Sequence, residues 1–275
     1  MTVKTALEQG AELLEHAQIV APRLTAEVLL AYALDCDRTY LFAHPEHELP
    51  DNVRIPFGRF LHERIGGKPT QYIIKRQEFY GREFRVTPAV LIPRPETEHL
   101  VETVLRWLRP GMRVVDVGCG SGAIAATLSV ERSVPVLATD ISCDALAVAR
   151  CNAEKLGAKV TFVAADLLAP VRGRSLDIVA SNPPYVGLHD RESLQREVRD
   201  FEPEVALYGG ETGNEIYARL IAQAEYVLCP GGRLAMELGY RSLEAVQAML
   251  EARWTNVEAV PDLAGIPRVI TAELR

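Results

Sequence analysis

Asn182, Pro183, Pro184 and Tyr185 stand side by side and together offer the groups needed to hold a planar nitrogen. They follow Asp177-Ile178-Val179-Ala180, an apolar run with the length of a buried strand, and so fall at its carboxyl end, the edge where open α/β sheets bind ligands. Neither proline has a backbone N–H and both have a fixed φ, so the pair cannot continue a sheet ladder and leaves its carbonyls free to accept. With a carboxamide before them and an aromatic ring after them, the segment would take hydrogen bonds from an NH2 group and grip the flat system attached to it. An amide or an amino-base fits that description. Alone, the same residues also read as a tight turn, since Asn-Pro initiates turns.

A second constellation lies upstream. Val114-Val115-Asp116-Val117-Gly118-Cys119-Gly120-Ser121-Gly122-Ala123 reads as a strand, a glycine-rich turn and a helix start, and its glycines let backbone approach a ligand closely. Gly118, Gly120 and Ala123 also satisfy the dinucleotide fingerprint, and Asp140 is placed to bind a ribose hydroxyl under either reading. Asp116 favours a cationic ligand, because a carboxylate beside the turn suits the sulfonium and ammonium of S-adenosylmethionine better than a pyrophosphate. In Val163-Ala164-Ala165-Asp166-Leu167, Asp166 is then placed for the adenine amine and Leu167 for the face of the base, while Asp166 alone also reads as a helix cap.

These motifs need a scaffold, and the chain supplies two kinds. Leu7, Ala11, Leu14 and Ala17 recur at helical spacing, Pro22 opens a second run through Leu29, Leu30 and Leu34, and a third helix is expected after Pro50-Asp51 with Phe57, Phe60 and Leu61 inward. From residue 71 the character changes. Tyr72-Ile73-Ile74 and Phe84-Arg85-Val86 flank Tyr80-Gly81 and read as a β-hairpin, followed by a segment stiffened by Pro93 and Pro95 that reads as an elbow and can also line the site. Beyond it strands are expected at 113–117, 135–139, 159–163, 176–180 and 233–238 and near Val257 and Val269, with helices between them. That alternation predicts an α/β fold with a mostly parallel, twisted sheet covered on both faces.

Composition narrows the partners. A chain of 275 residues that is 48% hydrophobic can build a large core and a smaller one, and its net charge of −7 argues against a stable grip on nucleic acid. Residues 1–70 carry 7 basic and 10 acidic side chains, so the helical part is no basic module either. The cysteines, Cys36, Cys119, Cys143, Cys151 and Cys229, include no Cys-x-x-Cys, and His44 and His47 have no partners at ligand spacing, so no disulfide frame and no metal site is expected. A charged N-terminus and the lack of a long apolar run predict neither a signal peptide nor a membrane span, and a cytoplasmic location.

The motif series from Asp116 to Gly122, Asp140, Asp166 and Asn182 to Tyr185 resembles class I methyltransferases that modify planar amino groups. Pro69-Thr70-Gln71-Tyr72, Glu78-Phe79-Tyr80-Gly81 and the segment from Leu91 to Glu98 narrow this, for they resemble the release factor glutamine methyltransferase family, PrmC or HemK, over nearly the whole chain. Two stretches depart from it: Lys75-Arg76, where a glycine is expected nearby, and Thr212-Gly213-Asn214, where the family tends towards Asp-Gly-Leu.

The resemblance implies a monomer with a helical substrate-docking domain over 1–70, a β-hairpin linker over 71–92 and a Rossmann-like methyltransferase domain over 93–275. It implies methylation of the side-chain nitrogen, N5, of a glutamine in class-1 peptide chain release factors with S-adenosylmethionine. Asp116, Gly118, Cys119, Gly120, Ser121, Gly122, Asp140, Asp166, Leu167 and Asn182 would then bind the cofactor. Asn182, Pro183, Pro184 and Tyr185 would bind the substrate, with Asn182, Pro183 and Tyr185 serving catalysis. The alternatives are an amino-methyltransferase acting on adenine or cytosine in nucleic acid, a dinucleotide-dependent oxidoreductase and a silent adenosylmethionine-binding scaffold.

Overall fold

Thr2 starts the first helix by accepting the Thr5 N–H on its side chain, and the apolar positions at helical spacing then turn Val3, Leu7 and Leu14 inward. The computed structural model describes residues 1–275. Its helices are α1 (Val3–His16), α2 (Pro22–Leu34), α3 (Arg38–Ala43), α4 (Asp51–Ile65), α5 (Thr70–Ile74), α6 (Glu98–Trp107), α7 (Ala123–Arg132), α8 (Cys143–Leu156), α9 (Arg196–Phe201), α10 (Glu204–Leu207), α11 (Glu215–Val227) and α12 (Leu243–Met249). A first unit consists of residues 1–75 with 195–201, and a second of residues 76–194 with 202–275.

The first unit holds α1 to α5 and α9. Leu7, Leu14, Leu29, Leu30, Phe57 and Leu61 form its core. Gly10 lets the helices pack closely, since the Phe57 ring lies 3.0 Å from where a Cβ would stand. Two charges are buried here and both are paired: Glu27 takes Arg23 at 3.0 Å and Arg38 at 2.7 Å, and Arg64 meets Glu197 of α9 at 2.5 Å. His44 and His47 are exposed, and His44 stacks on Tyr40 with ring centroids 4.2 Å apart.

The strands of the second unit are β1 (Arg76–Phe79), β2 (Arg82–Arg85), β3 (Val114–Val117), β4 (Val136–Asp140), β5 (Val160–Ala164), β6 (Leu176–Ser181), β7 (Val186–Gly187), β8 (Tyr208–Gly210), β9 (Leu228–Glu237), β10 (Trp254–Pro261) and β11 (Pro267–Leu274). Seven of them form one sheet in the order β10-β11-β9-β6-β3-β4-β5, in which β3 is parallel to both β4 and β6, and β11 alone runs against its neighbours. The mostly parallel, helix-covered α/β sheet expected from the alternating pattern is therefore the fold observed. From β3 the chain steps outward to β4 and β5, then returns to lay β6 on the other side of β3. That reversal is a topological switch point, and it opens a crevice beyond the carboxyl ends of β3 and β6.

The hairpin is shorter than the sequence suggested. Residues 70–74, read as strand from Tyr72-Ile73-Ile74, form the helical turn α5, because burial of Tyr72 and Ile73 on one side of that turn outweighs their β-propensity. The pairing is confined to β1 and β2, whose Phe79 and Phe84 are 1% and 0% exposed and meet edge to face within the core that also holds Leu100 and Val104. Asn152 of α8 stitches β2 down, accepting the Arg85 N–H at 2.8 Å and donating to the Arg85 carbonyl at 3.0 Å.

Lys75 explains the missing glycine of this region. It closes α5 with φ +59°, a left-handed conformation that costs a side-chain-bearing residue about 1–2 kcal/mol. Lys75→Gly should leave the melting temperature unchanged or raise it, the strain relieved being offset in part by a more flexible unfolded chain. Lys75→Val should lower it, and a Val variant as stable as the Gly variant in thermal melts would contradict the strain.

Candidate functional site

The glycine turn after β3 is closed by its own hydrogen bonds. Gly118 and Cys119 donate their N–H groups to the Thr139 carbonyl, at 2.8 and 2.9 Å, and Gly122 donates to the Cys119 carbonyl at 2.8 Å. Gly120 donates to Asp140 Oδ2 at 2.8 Å, and Asp140 Oδ1 accepts the Ser142 N–H at 2.9 Å. Asp140 thus holds the turn from the end of β4. Gly120 has φ +53°, where a Cβ would meet no protein atom within 4 Å, whereas at Gly122 it would stand 3.0 Å from the Ala149 Cβ of α8. The first glycine is needed for its backbone and an open face, the second for helix packing.

Across the switch point, Val117 is paired with Ser181, whose Oγ donates to the Val117 carbonyl at 2.7 Å. Asn182 follows at once and donates Nδ2 to Thr97 Oγ1 at 3.2 Å. The next residues are clamped by β8, because β7 pairs with it and a Cβ at Gly209 would lie 2.5 Å from the Pro184 carbonyl oxygen. One cavity of about 340 Å³ joins the two motifs, within the range of small-molecule sites.

Gly118, Cys119, Gly120, Ser121, Asp140, Asp166, Leu167, Asn182 and Pro184 all line that cavity, so the structure brings most of the sequence-derived site together. Asp116, Gly122, Pro183 and Tyr185 are not among its lining residues. Asp116 is fully buried behind the turn, where Oδ2 accepts the Ala125 N–H at 3.0 Å and Oδ1 has no partner. Its carboxylate occupies the amino end of α7, and burial, reinforced by the charge of Asp140, pushes its pKa up to about 7. The Tyr185 ring packs against the position of Gly239, with burial holding its phenol well above the usual range. It is a wall behind the segment and not a lid on the cavity. Burial, with Asp116 and Asp140, also pushes the Cys119 thiol up, so it serves as a small neutral surface.

Asp166 carries Arg219 of α11 at 2.5 Å, and no helix follows it, so the cap reading does not hold. Leu167 sits with φ +54°, strained for a leucine and located at the wall of this cavity. Sequence reasoning missed Arg219, Tyr208 and Val205, which come from elements after Asn182 that fold back over the cavity. It assigned no role to Arg94 and Thr97 in the proline-stiffened segment, and both line the cavity. Arg94 is paired with Glu202, which is 5% exposed and also accepts the Ile92 N–H at 3.1 Å. Only the reading of the proline-stiffened elbow as a segment that can line the site hinted at this.

Comparison with known proteins extends these observations. Residues 5–74 match the PrmC N-terminal domain and residues 95–199 the methyltransferase small domain. A release factor glutamine methyltransferase of Koribacter versatilis is 48% identical over 274 residues, covering 98% of each chain, and one of Nitratidesulfovibrio vulgaris is 43% identical over 98% of this chain and 95% of its own. The chain belongs to the release factor glutamine methyltransferase family. Solved structures agree at the level of fold: a Pyrococcus furiosus methyltransferase superposes with a TM-score of 0.54 at 21% identity, covering 71% of this chain and 90% of its own. A T. thermophilus 16S rRNA methyltransferase, solved with AdoMet and guanosine, gives 0.53 at 18% identity over 73% of this chain and 50% of its own. No helix of this family member is long and apolar enough to cross a membrane.

The buried Asp116 makes a prediction about stability. Its folded pKa of about 7 lies above the usual 3.8, so the unfolded chain releases its proton first as pH rises. Its contribution to stability therefore declines between about pH 4 and pH 7, by on the order of 4 kcal/mol across that window. Asp116→Asn retains an acceptor for Ala125 but cannot ionise. Relative to the parent chain it should melt higher at pH 8 than at pH 5, and a pH-independent difference between the two would contradict the assignment.

Proposed function

We propose that this chain transfers a methyl group from S-adenosylmethionine to the side-chain nitrogen, N5, of a glutamine in a class-1 peptide chain release factor, in the cytoplasm. The observation that carries the reading is the meeting, at one switch point, of a glycine turn whose amides are internally satisfied and a carboxamide whose NH2 is already engaged. A dinucleotide would bring a pyrophosphate to this turn. It would find the Gly118, Cys119, Gly120 and Gly122 amides already donated, a carboxylate at the amino end of α7, and Arg94 and Arg219 both paired with carboxylates. A phosphate-free adenosyl ligand fits these walls. Asp140 would hold its ribose with the acceptor capacity left on its carboxylate, Leu167 would face the base, and Asp166, held by Arg219, would accept from the adenine amine.

Bound S-adenosylmethionine supplies an electrophilic methyl on a sulfonium. The residues of the chain must orient the nucleophile, because an amide nitrogen has its lone pair delocalised into the carbonyl. Asn182 Oδ1 and the Pro183 carbonyl would accept the two N–H bonds of the glutamine amide and turn its lone pair toward the methyl. Alignment of this kind can contribute about 7–11 kcal/mol. The nitrogen becomes strongly acidic once methylated, and no side chain is assigned to take its proton. Tyr185 would act by bracing the Pro183-Pro184 backbone from behind.

The helical unit would dock a second part of the release factor. It leaves Ile55 and Phe42 68% and 59% exposed, and a protein partner could cover such anchors where a free glutamine could not. Phe42→Asp with Ile55→Asp should raise the KM for intact release factor about fivefold or more while leaving adenosylmethionine affinity unchanged. An unchanged KM would remove the docking role.

Incubation with labelled S-adenosylmethionine and, separately, release factor, DNA or RNA tests the acceptor, with label expected in the release factor alone. Label entering nucleic acid instead would favour the amino-base alternative. Asn182→Ala should lower turnover on the order of 10²-fold while keeping most of the cofactor affinity. Asp140→Ala should weaken cofactor binding measured by calorimetry by about 1.5–3 kcal/mol for each charge-assisted hydrogen bond lost.

A further inference from the structure

Behind Asn182 lies a buried polar chain. Asn182 Nδ2 donates to Thr97 Oγ1 at 3.2 Å, and Thr97 is 5% exposed, its hydroxyl being one of the groups that act against the rise in the pKa of the buried Glu237. Glu237 closes β9, is 3% exposed and keeps Oε2 without a partner. Burial pushes its pKa up to about 7, Glu96 adds to this, and the Thr97 hydroxyl, Arg268 and Arg94 act in the opposite sense. A carboxylate kept this deep, with an oxygen unsatisfied, is costly to the fold.

The donor and acceptor inventory gives the acid a task. A hydroxyl has one hydrogen and two lone pairs, and an ionised carboxylate only accepts. Once Glu237 is ionised it draws the Thr97 hydrogen toward itself, and the Thr97 lone pairs take the Asn182 NH2, the contact seen at 3.2 Å. A carboxamide can present its NH2 to those lone pairs but not its oxygen. Its oxygen must then point the other way, into the cavity. We propose that Thr97 and Glu237 are positioning residues that fix the rotamer of the Asn182 carboxamide so that its oxygen, and not its NH2, meets the substrate nitrogen. The proposal rests on the reading of Asn182 as the acceptor for that nitrogen. A flipped carboxamide would set one NH2 against another, and the substrate would lose its alignment without losing its place.

The test is steady-state methylation of release factor, with turnover expressed per adenosylmethionine-binding site. Thr97→Val keeps the shape of the side chain and removes the hydroxyl, whereas Thr97→Ser keeps the hydroxyl. Thr97→Val should lower kcat by about tenfold or more, with KM for release factor and affinity for S-adenosylmethionine changed by less than about threefold. Thr97→Ser should restore kcat to within about threefold of the parent, and Glu237→Leu should reproduce the loss seen with valine. Should Thr97→Val fail to bind S-adenosylmethionine, Glu237→Leu carries the same test. Parental kcat in either hydroxyl-breaking variant overturns the proposal. So does a loss shared equally by the Val and Ser variants that follows their melting temperatures. Asn182→Ala separates the two ideas: if it is inactive while Thr97→Val is normal, only the positioning role falls, and if it is fully active, the acceptor reading itself falls.

Discussion

The carboxylate of Asp140 is the constraint on which the site depends. It ends β4 one residue beyond the pairing of Val117 with Thr139, and from there accepts the Gly120 and Ser142 N–H groups at 2.8 and 2.9 Å. Charge-assisted hydrogen bonds of this kind are roughly twice as strong as neutral ones. They fix both the glycine turn after β3 and the start of α8, whose Ser142 cap accepts the Ala145 N–H. The turn that would otherwise present its amides to an anion is tied back onto the protein. What remains is a largely apolar cavity edged by acceptors.

The second motif is fixed to the first through the sheet. Parallel pairing of β3 with β6 sets Ser181 against Val117, and the residue after it is Asn182. Glycines then allow β8 to close on the Pro184 carbonyl from outside, while Tyr185 and Gly239 fill the space inside. Neither the wall proposed for the cofactor nor the wall proposed for the substrate is a free loop. Each is an extension of a buried strand, as a site that must hold a weak nucleophile in line requires.

Much of this was legible in the sequence, for identifiable reasons. Strands buried on both faces, such as Val114–Val117, write themselves as continuous apolar runs, and glycine turns and Pro-Pro pairs mark where those runs stop. The cavity accordingly gathered Gly118 to Ser121, Asp140, Asp166, Leu167 and Asn182. The positions of Asp116 and Tyr185 were not legible, because alternation along a strand says which residues share a face but not whether that face opens on a cavity or on a helix end. Arg219 and Thr97 were missed because their roles arise from long-range pairing with Asp166 and Asn182, which leaves no local pattern. The helical turn 70–74 was misread as strand because its burial is set by tertiary packing rather than by propensity.

The central claim concerns the atom that receives the methyl group, and fragmentation mass spectrometry reads that atom directly. A release factor purified without this modification, incubated with the chain and methyl-labelled S-adenosylmethionine, should gain a single methyl group whose fragment ions place it on the side-chain nitrogen of one glutamine. A methyl found on a carboxylate, a lysine or the backbone, or a release factor that stays unmodified while the chain binds S-adenosylmethionine normally, would contradict the account.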